Sequence, residues 1–296
     1  MSDISVQQDY LVKAIDATKN FRAIAIRTTN LVEEAHERHD TWSASSAALG
    51  RTLTGTILLA AAELTDDEEL TVRIQGDGPV GGIVATGKAD YTVKGYLGNA
   101  HVALPTTKAG KIDVGQAVGK GQLSVTKDLG LKEPFTGQSA LISGEIAEDL
   151  TYYLAKSEQI PSSVGLAVFV NPNESIGAAG GFILQAMPGA TEAQIVTVEG
   201  RIKNLEQLSQ QFLAGVTPEE LVQKILGEDA KILETSPVAF ACDCSKEKFG
   251  KIIATLARKD LVDMINEDHG AEANCKFCGN HYKFSEDDLQ AMLAAK

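Results

Sequence analysis

Cysteine placement is the feature of this sequence that most constrains what the chain can fold into. The four cysteines occur as Cys242-x-Cys244 and, after thirty intervening residues, Cys275-x2-Cys278. Each short pair can supply two ligands from one turn while the spacer folds between the pairs, which suits a tetrahedral zinc ion. The spacing therefore predicts one Zn2+ per chain, bound by all four thiolates.

Two alternatives to that ligand set follow from the same region. His269 and His281 could each replace a cysteine as a ligand, although four thiols already complete a structural zinc site. The cysteines could instead form a framework of permanent disulfides, which a reducing cytosol disfavours.

The N-terminal segment MSDISVQQDYLVKAID is polar, and the apolar run at 57–62 is too short to cross a bilayer. We therefore expect a cytoplasmic protein that does not bind membranes.

Charge argues against nucleic acid as a partner. The chain carries 27 Lys and Arg against 40 Asp and Glu, a formal net charge of −13, and only 5% of its residues are aromatic. Binding to nucleic acid draws on clustered basic side chains and, for single strands, on aromatic stacking. No segment is a basic arm, so we expect no nucleic-acid partner.

Hydrophobic patterning divides the chain into three parts. Residues 1–188 mix strand-like and helix-like segments without regular βαβ alternation, which predicts an α+β core. Expected elements include a strand at 21–29, a helix started by an Asn30/Glu33 capping box, a long helix at 43–64 and another at 144–158. Residues 189–234 predict a helical linker, and residues 235–296 a small four-cysteine zinc domain.

The linker has the pattern of two amphipathic helices. The first begins with a Thr191/Gln194 capping box, and the second is expected to begin at Pro218 and to end at Gly227. An apolar stripe runs along the first helix: Ile195, Val198, Ile202, Leu205 and Phe212. Gly200 lies inside that helix and costs about 1 kcal/mol relative to Ala. We therefore expect the first helix to be marginal and to need a partner surface.

Three apparent motifs lack the context that their chemistry needs. The GxGxxG at 76–81 is followed by a second β-type run rather than by a phosphate-binding helix. The stretch 115–120 has too few residues between its glycines for a phosphate loop, so we expect a plain loop. His36 and His39 are one residue too close for the metalloprotease HExxH pattern, so a solvated helix face is expected there. The chain is predicted not to be an enzyme.

The zinc site is expected to hold the C-terminal domain together. Residues 235–296 include 16 large apolar side chains, and so small a core rarely supplies more than ~3–5 kcal/mol. Structural zinc contributes on the order of 10–16 kcal/mol in small finger peptides. Oxidation to Cys242–Cys244 and Cys275–Cys278 disulfides would remove the thiolate ligands. A zinc site that is never oxidised would have the same cysteine spacing. The spacing therefore does not distinguish a redox switch from a permanently inert zinc site.

Longer blocks of the sequence resemble one known family. They are RHDTWSASSAALGR at 38–51, GDGPVGGIVA at 76–85, VTKDLGLKEPFTGQ at 125–138, SGEIAEDLTYYLAKSEQIPSSVGLAVFV at 143–170, AGGFILQAMPGA at 179–190, CDCS at 242–245 and CKFC at 275–278. In these blocks the chain is similar to the thirty-three-kilodalton chaperonins, a family of redox-regulated heat-shock holdases. The four cysteines match the zinc centre of that family.

The resemblance implies an ATP-independent chaperone that is inactive while reduced and zinc-bound. Oxidation together with heat would form the two neighbour disulfides, release zinc, unfold the C-terminal domain and loosen the linker. The activated chain would form a homodimer, and it would hold unfolded clients until an ATP-dependent foldase accepts them. The linker stripe, once uncovered, would add apolar surface for client binding.

Two other functions remain open on the residues alone. A constitutive four-cysteine zinc ribbon could serve as an interaction module for nucleic acid or protein, although residues 235–296 hold ten acidic and eight basic side chains. A thiol oxidoreductase could use Cys275 and Cys278, but the βαβ setting of a thioredoxin-like site is missing around them.

Overall fold

The computed structural model describes residues 8–107, 111–205 and 207–295. Two compact units divide the chain, Met1–Ala241 and Cys242–Lys296. The larger unit combines helices with two sheets in which most strand pairs are antiparallel, and the smaller unit contains the four cysteines. The predicted α+β class with a small C-terminal four-cysteine unit is confirmed.

The elements follow one another along the chain in mixed order. The strands are β1 Tyr10–Ile15, β2 Phe21–Arg27, β3 Glu69–Gly76, β4 Gly82–Lys88, β5 Thr92–Leu97, β6 Gly121–Asp128, β7 Phe135–Ala140, β8 Ser162–Val170, β9 Ile176–Ala186, β10 Lys231–Pro237, β11 Ala239–Phe240, β12 Gly270–Asn274 and β13 His281–Ser285. The helices are α1 Thr29–His39, α2 Ser43–Glu63, α3 Val114–Val118, α4 Ala147–Tyr153, α5 Glu192–Lys203, α6 Leu208–Leu213, α7 Pro218–Leu226, α8 Lys246–Ile253, α9 Arg258–Asn266 and α10 Glu286–Ala294.

Two sheets form the larger unit. The first has the strand order β10-β1-β2-β9-β8, and the second has the order β11-β5-β4-β3-β6-β7. In β3 the residues Leu70, Val72 and Ile74 are buried and alternate with more exposed neighbours, because successive side chains of a strand point to opposite faces. That alternation fixes which face of the second sheet turns inward.

Helix α2 is buried along most of its length and contacts strands of both sheets. The sequence predicted this helix from its run of small residues, and the structure shows why small residues are needed. A Cβ added at Gly50 would lie 2.5 Å from Cγ1 of Val32, and one added at Gly55 would lie 2.6 Å from Cδ1 of Leu150. Glycine therefore permits the close approach of α2 to its neighbours.

Several predicted elements differ in detail from those found. Helix α1 begins at Thr29 without the Asn30/Glu33 capping box, since the Glu33 carboxylate instead accepts the backbone N–H of Ile176 at 2.6 Å. The loop expected at 115–120 contains the short helix α3. The helix expected at 144–158 begins at Ala147, because Ile146 has a φ of +70°, and its last turn is of the wider π type.

In the described residues of the linker, the structure has three helices rather than the two that were predicted. Helix α5 ends at Lys203, Leu205 follows outside it, and α6 begins only at Leu208. The capping box of Thr191 and Gln194 is confirmed at the start of α5. The predicted single apolar stripe is thus divided, because Leu205 lies outside both α5 and α6.

One face of the first sheet carries the linker helices. Buried residues of β1, β2 and β9 form one cluster with buried residues of α5, α6 and α7: Val12, Ala14, Phe21, Ala23, Ala25, Ala178, Phe182, Leu184, Val198, Phe212, Leu221, Val222, Ile225 and Leu226. In β2 the alternate residues Ile24 and Ile26 are also buried and point to the opposite face. The first sheet is therefore covered on both faces.

Strand β10 connects the linker to the end of the larger unit. It pairs antiparallel with β1, with Tyr10 opposite Pro237 and Ile15 opposite Lys231, and β11 then pairs parallel with β5. The predicted boundary between residues 234 and 235 lies inside β10, whereas the two compact units separate after Ala241. Strand pairing is the reason, since it joins 235–240 to the two sheets.

Candidate metal centre

Two short chain segments supply the cysteines. Cys242 and Cys244 lie immediately before helix α8, whose N-cap is Ser245. Cys275 and Cys278 occupy the turn between β12 and β13. That turn is closed by backbone hydrogen bonds from Cys275 N–H to the Asn280 carbonyl at 2.9 Å and from Gly279 N–H to the Cys275 carbonyl at 2.8 Å.

The four sulfur atoms converge. All four Sγ atoms lie within 4.8 Å of one another, and all four cysteines are free thiols. The Sγ atoms of Cys242 and Cys275 are 3.7 Å apart, and those of Cys244 and Cys278 are 3.3 Å apart. Zinc bound to four thiolates at ~2.3 Å requires sulfur atoms roughly 3.8 Å apart. The arrangement fits a tetrahedral metal ion with little adjustment.

The histidines that could have replaced a cysteine lie elsewhere. His269 Nδ1 is 2.7 Å from the carboxylate of Glu286, and the exposed His281 pairs with Asn274 in the β12–β13 hairpin. Among the described residues, the four cysteines are the cluster of His, Cys, Asp or Glu side chains close enough together to hold a metal ion.

Burial is unequal among the thiols. Cys275 and Cys278 are buried, whereas Cys242 and Cys244 are half-buried. Burial raises the pKa of Cys242 and of Cys278 above the usual range of a thiol. Burial also acts on Cys244, but hydrogen bonds from the Tyr282 hydroxyl and the neighbouring thiols outweigh it and lower the pKa of Cys244 to about 7. Cys244 is thus the sulfur whose surroundings most favour the thiolate.

Tyr282 is the side chain beside this cluster that sequence reasoning missed. Its hydroxyl oxygen lies 3.1 Å from Cys244 Sγ and 3.1 Å from the Cys244 carbonyl oxygen. Its ring packs against Phe249 with 5.3 Å between ring centroids. The only signal in the sequence is its position four residues after Cys278, which does not reveal where the hydroxyl points.

The apolar core of the C-terminal unit is small. Its buried members are Ile253, Leu261, Phe284 and Leu289, and the Tyr282 ring is partly buried against them. Ile252 is 60% exposed. A core of this size leaves the unit dependent on a further source of folding energy.

The linker stripe lies partly in the core of the larger unit. Val198 and Phe212 are buried, while Ile195, Ile202 and Leu205 are half-buried against the same cluster. Arg201, which sequence reasoning did not single out, donates from its guanidinium to the carbonyl oxygens of Ile225 and Leu226 at the C-terminal end of α7. A cation at that end also complements the helix dipole.

The remaining sequence motifs do not form sites. The glycine-rich stretch at 76–81 is the turn from β3 to β4, and the Gly78 N–H donates to the Val118 carbonyl at 2.9 Å. His36 is half-buried and bonded to Thr41, whereas the His39 ring contacts the Gly95 carbonyl at 2.9 Å. The prediction that His36 and His39 lie on a solvated helix face is therefore wrong in part, because both rings have polar partners within the protein.

Of the helices that the structure describes, none has both the length and the apolar character to span a bilayer.

Comparison with known proteins gives consistent matches across nearly the whole chain. The family model described as Hsp33 protein matches residues 9–285. A 33 kDa chaperonin from Lactobacillus delbrueckii subsp. bulgaricus is 63% identical, covering 97% of this chain and 98% of its own length. A second, from Latilactobacillus sakei, is 55% identical over 97% of this chain and 99% of its own length. The crystal structure of the 33 kDa chaperonin from Thermotoga maritima superimposes with a TM-score of 0.90 at 37% identity, covering 97% and 98% of the two chains.

Proposed function

This chain belongs to the Hsp33 family, and on that basis we propose that it is an ATP-independent holdase switched on by oxidation of its four cysteines. In the resting state Cys242, Cys244, Cys275 and Cys278 bind one Zn2+. Two neighbour disulfides form in the active state, Cys242–Cys244 and Cys275–Cys278. The observation that carries the proposal is the convergence of four free thiols in a unit with a very small apolar core.

The resting state depends on the four sulfurs acting together. Zinc, when bound, holds four thiolates in one place and supplies folding energy on the order of 10 kcal/mol that the small core lacks. The chain contributes the turn closed by Cys275 and Asn280, which presents two sulfurs, and the N-terminal end of α8, which follows the other two. Separately these segments have too little apolar surface to stay folded.

Oxidation begins at an accessible sulfur. Cys242 and Cys244 are half-buried whereas Cys275 and Cys278 are buried, and a zinc-bound cysteine is already the thiolate, which is the form that reacts with peroxide. Two close sulfur contacts in the folded unit join residues of different pairs, Cys242 with Cys275 and Cys244 with Cys278. Pairing of sequence neighbours is favoured once the unit loosens, because closing the shortest loops costs the least entropy. A sulfur in a disulfide no longer serves as a thiolate ligand, so formation of either disulfide weakens the metal site.

The linker provides the surface that is exposed after the C-terminal unit unfolds. Helices α5, α6 and α7 cover apolar residues of β1, β2 and β9. The cover is loosely built at α5, where Val196 is 62% exposed and a groove of about 410 Å3 is lined by residues of the helix and of the sheet, among them Ile195, Ile202, Phe21 and Leu184. Release of the cover would expose a continuous apolar surface that binds unfolded chains, and the net charge of −13 would keep that state soluble.

The activated protein is proposed to act in the cytoplasm as a homodimer. It holds unfolded or partly unfolded clients and passes them to an ATP-dependent foldase chaperone. Neither nucleic acid nor membrane is a proposed partner, in keeping with the excess of acidic over basic side chains.

Light scattering from a heat-aggregating client tests the switch. Reduced, zinc-loaded protein should leave aggregation unchanged, whereas protein treated with peroxide and heat should suppress it at near-stoichiometric amounts. A variant with all four cysteines replaced by serine controls for peroxide damage elsewhere: it lacks the zinc ligands, so its C-terminal unit should be unfolded from the start, and peroxide should leave its activity unchanged. Equal suppression by reduced and oxidised protein would contradict the switch and favour a constitutive zinc ribbon.

A further inference from the structure

The Tyr282 hydroxyl is the polar group beside the cysteines whose role the proposed switch leaves unexplained. It lies 3.1 Å from two possible acceptors, the sulfur and the carbonyl oxygen of Cys244. For an O–H···O bond 3.1 Å is long, since the usual distance is about 2.7–2.8 Å. Sulfur is the larger atom, so the same distance is a close contact to Sγ. The geometry therefore favours a hydrogen bond aimed at the sulfur.

The direction of this bond follows from the state of Cys244. A metal-bound thiolate has no proton, and its sulfur can only accept. The Tyr282 hydroxyl must then be the donor. Other sulfurs of the cluster receive backbone donors, since the Cys244 N–H bonds to Cys242 and the Asn280 N–H bonds to Cys278. At Cys244 the donor is a side chain, and a single substitution can remove it.

Tyr282 is also fixed in position by its surroundings. The residue lies in β13, paired with Ala273 of β12, and its ring packs against Phe249 at 5.3 Å between centroids. The strand and the ring contact hold the hydroxyl near the sulfur without help from the hydrogen bond itself. Removing the oxygen alone should therefore leave the ring in place.

We propose that the Tyr282 hydroxyl restrains oxidation of Cys244 by donating a hydrogen bond to its thiolate, and so sets how readily the switch responds to peroxide. The inference rests on the proposed function and assigns a positioning residue to it. A hydrogen bond draws electron density from the sulfur and must weaken as the sulfur attacks. The bond therefore stabilises the resting thiolate more than the reacting one.

The restrained step is the first oxidation. The Cys244 thiolate attacks one oxygen of hydrogen peroxide, the O–O bond breaks, a sulfenic acid forms and hydroxide leaves. Sulfur loses two electrons and peroxide gains two. A neighbouring cysteine thiolate then attacks the sulfenic sulfur, so that an S–S bond forms, the S–O bond breaks and a second hydroxide leaves. Only the first step requires Cys244 to be the nucleophile.

The test compares peroxide-driven with chelator-driven loss of zinc from reduced, zinc-loaded protein. Tyr282→Phe should react with peroxide on the order of tenfold faster, measured as zinc released to a colorimetric indicator and as thiols lost. Its zinc release to a chelator without peroxide should change by a much smaller factor. Tyr152→Phe, which removes a partly exposed hydroxyl from the larger unit, is the matched control and should match the parent in both rates.

Two further measurements separate a hydrogen bond from a packing role. Phe249→Leu disturbs the ring contact but keeps the hydroxyl, and it should speed peroxide-driven and chelator-driven release by similar factors. Replacing Tyr282 by 3-fluorotyrosine keeps the ring and strengthens the donor, so the peroxide reaction should slow. This substitution also decides the question if Tyr282→Phe fails to retain zinc.

An unchanged peroxide rate in Tyr282→Phe, or equal acceleration of both kinds of zinc release, would overturn the proposal. A faster peroxide reaction in the 3-fluorotyrosine protein would also overturn it. None of these readouts involves a client protein. The rates therefore test Tyr282 even if oxidised protein proves unable to suppress aggregation, which would instead contradict the proposed holdase function.

Discussion

Gly200 offers a direct way to change how easily the linker opens. It lies inside α5, and a Cβ added there would meet no atom within 4 Å. The backbone at this position is helical, so alanine fits without strain. Gly200→Ala should therefore stabilise α5 by about 0.5–1 kcal/mol, because alanine loses less conformational entropy than glycine when the helix forms.

The expected effect on the switch follows from this free energy. A change of 1 kcal/mol alters an equilibrium by about fivefold. If opening of the linker includes melting of α5, the open population of Gly200→Ala should fall by up to this factor. Hydrogen exchange at the backbone amides of α5 should slow correspondingly, and oxidised protein should need a higher temperature or a longer time to suppress client aggregation.

A variant of opposite sign provides the control. Ala193 is exposed on the same helix, and Ala193→Gly should destabilise α5 and lower the activation temperature. Zinc content and the rate of thiol oxidation should be the same in both variants, because neither residue lies among the cysteines. Faster exchange in α5 after Gly200→Ala, or identical activation of the two variants, would refute the idea that melting of α5 limits opening.

Four other outcomes are expected. Arg201→Met removes the donor to the Ile225 and Leu226 carbonyls and should open the linker at lower temperature, measured by hydrogen exchange in α7. Tyr10→Phe breaks the 2.7 Å bond to the Glu219 carboxylate and should lower the urea midpoint of the linker by the equivalent of about 1 kcal/mol. Burial raises the pKa of Asp9 from its usual 3.8 to about 6, so between these pH values the native state keeps a proton that the unfolded chain has lost. The free energy of unfolding should therefore fall by about 2 kcal/mol as pH rises from 4 to 6, and chemical denaturation of Asp9→Asn should show a weaker pH dependence. Zinc removal under reducing conditions should abolish the circular dichroism of the helices in the C-terminal unit, and zinc should restore it.

Local signals in the sequence predicted the parts of the fold that depend on local chemistry. The Thr191/Gln194 capping box and Pro218 mark helix starts that the structure reproduces, because a cap involves side chains within one turn. The cysteine pairs marked the site for a similar reason, since each pair lies on one short segment. Both kinds of inference use contacts between residues close in sequence.

Contacts between distant residues account for what the sequence did not show. Glu33 has the spacing for a capping box but bonds to Ile176, which is far along the chain. Strand β10 extends past the predicted boundary because β1 offers it a partner. Tyr282 reaches Cys244 only because the β12–β13 hairpin returns it to the cluster. In each case the competing partner is invisible until the sheets are assembled.

Under the proposed function, the different stabilities of the C-terminal unit and the linker explain why activation should need both oxidation and heat. The C-terminal unit has four buried apolar residues in its main cluster. If its four cysteines hold zinc, as we propose, that site contributes on the order of 10 kcal/mol, and loss of the thiolates alone should unfold the unit. The linker has its own contacts to the sheet, including Phe212 and the Arg201 hydrogen bonds, and these do not depend on the cysteines. Oxidation should therefore leave the linker folded but marginal, and modest heating should then open it. Peroxide at low temperature should accordingly produce protein with unfolded α8 to α10, protected α5 to α7 and little holdase activity. Full holdase activity in that state would show that client binding does not require the linker to open.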